Sequence, residues 1–360
     1  VLLLLENVGG LVCNILVLVV FHSFKKKKKN TVSHWASDDN LFITNLNIVD
    51  LTICLTTVPL TVVLILGTRG QSHPLFCFFH EGAISYASSA SVINLLVISF
   101  DRYQSIVTPF KKSLLSTKPK LAICIIWCVS LFGFGLPFVG LLVSEIVKDD
   151  SSWEAQPCFM WIESPIKGIN IHFEIYYIAL YIIANIVMIV CYTRIFKTAK
   201  NRINLRMSLV QATLMNMNPS TLTTVRPSLN SNARSSTTGP SSFRSSVYSN
   251  STAASNYKTQ DKTLTKMTLT IVFTFMVCWG PHTVTSILIA IIGTNRFLEE
   301  LQLCCLTLAY STTVLHPLVY TFMRRSFRKN LSIRLQKGRS SKIFPEAILP
   351  HPPVQEQPCI

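Results

Sequence analysis

The sequence predicts an all-α membrane protein, a bundle of seven transmembrane helices followed by a short amphipathic eighth helix on the inner membrane surface. Of the 360 residues, 49% are hydrophobic and only 14% are charged, whereas about a quarter of a soluble chain is charged. Seven apolar runs are each long enough to cross about 30 Å of hydrocarbon as a helix. The basic residues are also concentrated in alternate loops, which is typical of a chain that crosses a membrane repeatedly.

The spans are continuous apolar runs, whereas a membrane β-barrel would need alternating stretches of about ten residues. In lipid each backbone group must be bonded within its own segment, so continuous runs indicate helices. The composition also excludes a disordered chain, a small disulfide scaffold and a coiled coil. The predicted spans are residues 1–21, 41–66, 76–100, 121–143, 171–196, 264–292 and 301–322.

The distribution of Lys and Arg predicts the orientation of the chain. Loops 22–40, 101–120, 194–266 and 324–360 hold 29 of the 33 basic residues, so we expect them on the cytoplasmic side, with the N-terminus outside and the C-terminus inside. The net charge of +16 then reflects a cytoplasmic attraction to anionic lipid and partner surfaces. Nucleic-acid binding is the weaker interpretation, because no soluble basic domain is present. Since the chain begins at Val1 rather than Met, we treat it as N-terminally incomplete.

The segments outside the spans differ in composition. Residues 216–260, in the third cytoplasmic loop, are rich in Ser, Thr, Asn and Pro and are expected to be disordered, as is the cytoplasmic tail 336–360. Residues 324–335 place Phe327 and Leu331 four apart among basic residues. This spacing predicts a short amphipathic helix lying on the inner leaflet.

Polar side chains inside a span are costly and are candidates for a functional site. Asp50 lies in the middle of the second span, where a carboxylate must face the bundle interior and be neutral, paired or ion-bound. Ser and Thr carry less weight, because their hydroxyls can bond their own backbone. The interior polar candidates are Asn14, Asp50, Ser91, Thr312, Thr313 and His316.

Three further motifs each have an ordinary structural interpretation. The triplet Asp101-Arg102-Tyr103 follows the third span, and the ordinary interpretation is a solvated, charged helix terminus. Pro281, two residues after Trp279, removes one helical bond, and such kinks are often only packing features. Cys77 and Cys158 both lie outside by the charge rule, where a disulfide is chemically permitted.

In order along the chain, these residues resemble the rhodopsin-like (class A) G-protein-coupled receptors. The resemblance covers residues 9–335, and Cys77–Glu81 with Leu315–Leu318 are similar to one orphan subgroup. The matching positions are Asn14, Leu46–Asp50, Cys77, Cys158, Asp101–Tyr103, Trp127, Tyr192, Cys278–Pro281, His316–Tyr320 and Phe327–Arg328. The chain departs from the family pattern at Ala184, which replaces a Pro, at His316, which replaces an Asn, and in the long first loop with Lys25–Lys29.

The resemblance implies a switch at the cytoplasmic end. Arg102 would be held by Asp101 in the inactive state and by Asp261 at the inner end of the sixth span, an arrangement suited to the planar guanidinium. The alternative is that Asp261 is only a solvated loop residue. Tyr103 completes the triplet, Tyr192 and Tyr320 would swing inward, Trp279 and Pro281 would form the toggle, and Cys77 would pair with Cys158.

In this family the interior polar set binds a sodium ion, and His316 changes that chemistry. We hypothesise weak sodium dependence and sensitivity to protons. The simpler alternative is a neutral His316 bonded to Asp50 or to backbone. We therefore expect no cofactor and regard a sodium ion as doubtful.

The resemblance also implies an outer ligand pocket. Its candidate residues are Glu81, Ile84, Ser85, Ser88, His282, Thr283, Ser286, Leu306 and Tyr310. Ile84 stands where amine receptors carry Asp, which disfavours an amine, and the seventh span has no Lys for a retinal Schiff base. Acidic residues in the outer loop weakly favour a cationic peptide over a lipid, although a solvated acidic loop is the commoner explanation.

The expected function is that of an orphan receptor at the plasma membrane that signals to heterotrimeric G proteins. Its expected partners are the G protein, arrestin, receptor kinases, the bilayer and an unknown extracellular ligand, but no nucleic acid. The alternatives are a constitutively active or ligand-independent receptor or scaffold, and a transporter, for which the internal repeats are not found. We do not expect the chain to be an enzyme, because the sequence has no His-Glu-x-x-His and no Gly-x-Ser-x-Gly motif.

Overall fold

The computed structural model describes residues 1–28, 41–67, 74–108, 118–147, 167–215, 241–293, 295–324, 327–328 and 331–332. Within these ranges the regular elements are helices and no strand occurs. Seven stretches are apolar and long enough to cross a membrane, which confirms the predicted fold class. The helices are Leu2–Lys28, Leu41–Leu55, Thr57–Gly67, Pro74–Val107, Pro119–Val147, Lys167–Met215, Ser241–Ile292, Arg296–Tyr310 and Thr312–Met323.

The spans form a closed bundle with the third span, Pro74–Val107, at its centre. This span packs against the second, fourth, fifth and sixth spans, and the first span packs against the second and the seventh. In the third span 78% of the apolar window is buried, compared with 28% in the first and fourth. The third span is therefore the most deeply buried of the seven.

Two of the spans consist of two helices each. The second span breaks at Thr56, and the carbonyl of Leu55 lies four residues before Pro59, which has no N–H to donate to it. The seventh span breaks at Ser311, where the backbone N–H and the hydroxyl both donate to the carbonyl of Leu308. These breaks, with Pro281 and Pro317 inside their helices, free carbonyls that other spans can bind.

The sixth span begins far earlier than the apolar run requires. Its helix starts at Ser241, directly after Pro240, so residues 241–260 are helical where disorder was expected. This segment contains no Gly or Pro between Pro240 and Gly280 that would end a helix growing from the span. Residues 216–240 and the tail from residue 333 lie outside the described residues.

The outer surface of the bundle is apolar. In the fifth span Ile183 is 61% exposed, as expected of a side chain that faces lipid.

After Met323, residues 327–328 and 331–332 are helical, in the predicted eighth helix. Phe327 is buried against the edge of Phe21, with ring centroids 5.8 Å apart, which fastens this helix to the first span.

Candidate functional site

Arg102 lies at one end of the bundle, called the Arg102 end, and is buried, with only 4% of its surface exposed. Its Nη2 donates to Oδ2 of Asp101, the preceding residue. Tyr103 stacks on Phe100 with centroids 6.1 Å apart. A buried guanidinium needs such a counter-charge, because an unpaired buried ion is strongly destabilising.

Two tyrosines are buried on the neighbouring spans. Tyr192 lies in the fifth span and Tyr320 in the seventh, and the Tyr320 hydroxyl has no hydrogen-bond partner in the described part of the chain. Arg202 ties the fifth span to the third, since its Nη2 donates to the carbonyl of Ile106 at 2.7 Å. The side chain of Asp261, the expected second partner of Arg102, lies outside the described residues.

Asp50 and His316 meet in the middle of the bundle. His316 Nδ1 lies 3.0 Å from Asp50 Oδ2, and both side chains are fully buried. This contact joins the second span to the seventh. From the sequence, Asp50 and the backbone are the two alternative partners of His316. Asp50 Oδ1 and His316 Nε2 have no partner among the described residues, so the pair keeps unused bonding capacity.

The other interior candidates are buried and differ in their bonding partners. Asn14 Nδ2 donates to the carbonyls of Gly10 and Thr313, at 2.9 and 2.8 Å. The hydroxyls of Thr312 and Thr313 donate to carbonyls of the preceding turn. Ser91 is buried in the third span, and its hydroxyl has no partner within the described ranges.

Trp279 is packed at the centre of the sixth span, with 0% of its surface exposed. Its ring lies 5.9 Å from Phe275 and 6.0 Å, edge to face, from His282. Tyr181 of the fifth span donates its hydroxyl to the Met276 carbonyl at 3.1 Å, next to the carbonyl of Val277 that Pro281 leaves without a helical donor. The expected toggle residues therefore lie in an aromatic cluster beside the proline of the sixth span.

The end of the bundle that carries Cys77, called the Cys77 end, gathers the pocket candidates. His282, Thr283, Ser286, Leu306 and Tyr310 come from the sixth and seventh spans and are buried. Ile84 and Ser88 of the third span are also buried, whereas Ser85 is partly exposed. The Glu81 side chain is 58% exposed, so it is the accessible carboxylate of this set.

Hydrogen bonds connect the spans at the Cys77 end. Tyr177 of the fifth span bonds Thr283 of the sixth, oxygen to oxygen, at 2.7 Å. Gln302 donates to Ser286 at 3.3 Å, which links the seventh span to the sixth. These bonds between spans fix the positions of Thr283 and Ser286.

A polar chain that sequence reasoning missed crosses three spans beside Glu81. Thr61 Oγ1 lies 2.9 Å from His80 Nε2 and 2.9 Å from the Tyr310 hydroxyl, and His80 Nδ1 lies 3.9 Å from Glu81 Oε1. His80 is only 2% exposed. The sequence shows His80 and Thr61 inside apolar runs. Their positions in the sequence do not reveal that the two side chains bond each other.

Glu6, inside the apolar run of the first span, was also missed. Its Oε2 is buried without a partner in the described residues, and a carboxylate in a span is a functional candidate by default. Cys77 is disulfide-bonded, and its expected partner Cys158 lies outside the described residues. Over those same residues no group of three His, Cys, Asp or Glu side chains could hold a metal ion.

Seven spans, a buried Arg102 next to Asp101 and a polar interior define a membrane receptor of the seven-helix class. The model of the "7 transmembrane receptor (rhodopsin family)" matches residues 13–320, and the chain belongs to this family. It is 31% identical to G-protein coupled receptor 22 of Rattus norvegicus and of Homo sapiens, over 93% of this chain and 78% of each relative. It is 26% identical to G-protein coupled receptor 161 of Mus musculus, over 93% of this chain and 59% of that protein.

These comparisons confirm the family resemblance and the narrower one carried by Cys77–Glu81 and Leu315–Leu318, which is to the receptor 22 type. The matched relatives are named as receptors rather than as enzymes. The chain is therefore a multi-pass membrane protein of a receptor family.

Proposed function

We propose that this chain carries an extracellular signal to heterotrimeric G proteins by opening the Arg102 end of its bundle. The observation that supports this most directly is the ion pair between the buried Arg102 and the partly buried Asp101 at the basic end of the bundle. A ligand that favours a state in which this pair separates would shift the population toward the open form. The Tyr320 hydroxyl, which has no partner in the described residues, is available to bond in that state.

In this proposal the Arg102 end faces the cytoplasm of a plasma-membrane receptor. The excess of Lys and Arg in the adjoining loops supports this orientation. Arrestin and receptor kinases would act at the same end, where Ser and Thr are abundant in residues 228–252. Phosphorylation there would add negative charge for a basic partner to bind.

The ligand would enter at the Cys77 end, and a peptide carrying a cationic group is proposed. Glu81 supports this, since it presents an accessible carboxylate beside the buried His80. A screen of basic peptides, neutral peptides and lipids would compare the wild type with Glu81→Gln. A response to basic peptides that Glu81→Gln abolishes supports the proposal, and a response to lipids alone contradicts it.

Coupling is tested by expressing the chain in cells and measuring cAMP inhibition and calcium release without added ligand. Wild type is compared with Arg102→Ala and with Arg328→Ala, whose side chain is exposed. We expect a basal response that Arg102→Ala abolishes and Arg328→Ala retains, at equal surface expression. Identical responses in wild type and Arg102→Ala would contradict the assignment.

A second experiment tests coupling when the receptor gives no basal response. Purified G proteins without nucleotide are added to membranes that carry each variant, and their retention is measured. Retention by wild type and Arg328→Ala but not by Arg102→Ala supports coupling, whereas retention by none of them favours a scaffold that does not couple.

A further inference from the structure

The interior site differs from a sodium site in the residue that faces Asp50. The family resemblance implies a sodium ion beside this carboxylate, held by side-chain oxygens. Between the second and seventh spans, however, Asp50 Oδ2 lies 3.0 Å from His316 Nδ1, within hydrogen-bond distance. One of the two carboxylate oxygens is therefore already bonded to a side chain of the protein.

The remaining donor set also fits an alkali cation poorly. Hard cations prefer oxygen ligands, and an imidazole at position 316 supplies nitrogen in place of an amide oxygen. The hydroxyls of Thr312 and Thr313 are bonded to carbonyls of the preceding turn. Asn14 directs its amide nitrogen to Gly10 and Thr313. Of the interior candidates this leaves three oxygens without a partner in the described residues: Asn14 Oδ1, the Ser91 hydroxyl and Asp50 Oδ1.

Electrostatics explains why a partner for Asp50 is needed at all. A fully buried carboxylate without a partner is strongly unfavourable, and either a bound ion or a protein donor can relieve it. His316 is the side chain that contacts Asp50, and both side chains are 0% exposed. A donor carried by the chain is present at every salt concentration, whereas a bound ion is not.

We propose that the imidazole of His316 takes the place of the sodium ion, so that this receptor joins its second and seventh spans without binding sodium. The contact between Asp50 and His316 connects the same two spans that a bound ion would connect. The consequence is a receptor whose stability is independent of sodium. Replacing His316 with Asn should create sodium binding, because it restores an amide oxygen and frees the Asp50 carboxylate.

The experiment measures the thermal midpoint of the purified full chain in sodium chloride and in choline chloride, each at about 0.15 M. Wild type, His316→Asn, Asp50→Asn and the double variant are compared, each with itself between the two salts. A ligand that binds only the folded state raises the midpoint. We expect no difference for wild type, and for His316→Asn a rise of about 2 °C or more in sodium.

The double variant is the matched control, because the sodium effect in His316→Asn should disappear when Asp50 is also replaced. A sodium-dependent rise in wild type that Asp50→Asn removes would overturn the proposal, and this comparison does not require His316→Asn to fold. A His316→Asn variant that folds and ignores sodium would also overturn it, since His316 would then not be what excludes the ion. The readout is stability, so a failure of G-protein coupling leaves this test unaffected.

Discussion

Asn14 binds the carbonyl oxygen that Pro317 leaves without a helical donor. Thr313 lies four residues before Pro317, whose nitrogen carries no hydrogen, and Asn14 Nδ2 lies 2.8 Å from the Thr313 carbonyl. The same amide donates to Gly10 of its own helix at 2.9 Å. One side chain of the first span therefore completes the backbone bonding of the seventh span at its proline.

The Asn14→Ala variant should be less stable. It removes the donor from a buried carbonyl, which costs about 1–3 kcal/mol when the group is left unsatisfied. The thermal midpoint of the purified protein should fall. Thr193→Ala is the control, because the Thr193 hydroxyl is exposed and bonds its own helix at Ile189. Equal midpoints for the two variants would contradict the role of Asn14.

Gly82 marks the close approach of the third and fourth spans. A Cβ at this position would lie 2.7 Å from the carbonyl oxygen of Phe134, a backbone atom that cannot rotate away. Gly82→Ala should destabilise the bundle by about 1–3 kcal/mol, the range for overpacking. Gly135→Ala in the fourth span meets nothing within 4 Å and should keep the wild-type midpoint. A tolerated Gly82→Ala would show that the two spans can separate.

Thr61 and Tyr310 should be energetically coupled across the second and seventh spans. Their oxygens are 2.9 Å apart and buried, so the effects of Thr61→Val and Tyr310→Phe should not add. We expect a coupling of about 0.5–3 kcal/mol in a double-mutant cycle of unfolding. The control cycle pairs Thr52→Val with Tyr310→Phe, because the Thr52 hydroxyl bonds its own helix at Ile48. Additive effects in both cycles would argue against the shared bond.

The disulfide at Cys77 should be needed for stability and for delivery to the cell surface. Cys77→Ser removes a cross-link whose loss typically costs about 2–5 kcal/mol in small secreted domains. Surface labelling and the thermal midpoint should both decrease. Cys124→Ser is the matched control, since Cys124 is a free, exposed cysteine of the fourth span. Surface levels that fall equally in both variants would indicate a general sensitivity to serine rather than a role for the cross-link.

Several contacts were predictable because the evidence for them is local or because the residues are unusual. Asp101 and Arg102 are neighbours in the chain, so their ion pair needs no long-range information. Asp50 and His316 are 266 positions apart, yet both are expensive in lipid and each needs a partner. The bond of Thr61 with His80 and Tyr310 was missed, because a Thr in a span is satisfied by its own backbone as readily as by a neighbour.

The amino-acid sequence by itself determined the seven spans and the family, because the transfer of an apolar run into lipid depends only on local composition and length. It also determined which polar residues are costly enough to need partners. For Asn14 and Thr61, the tertiary structure alone decided which partners they have. The rotation of each helix about its axis, set by packing around the third span and by the breaks at Thr56 and Ser311, brings Asn14 to Thr313 and Thr61 to Tyr310.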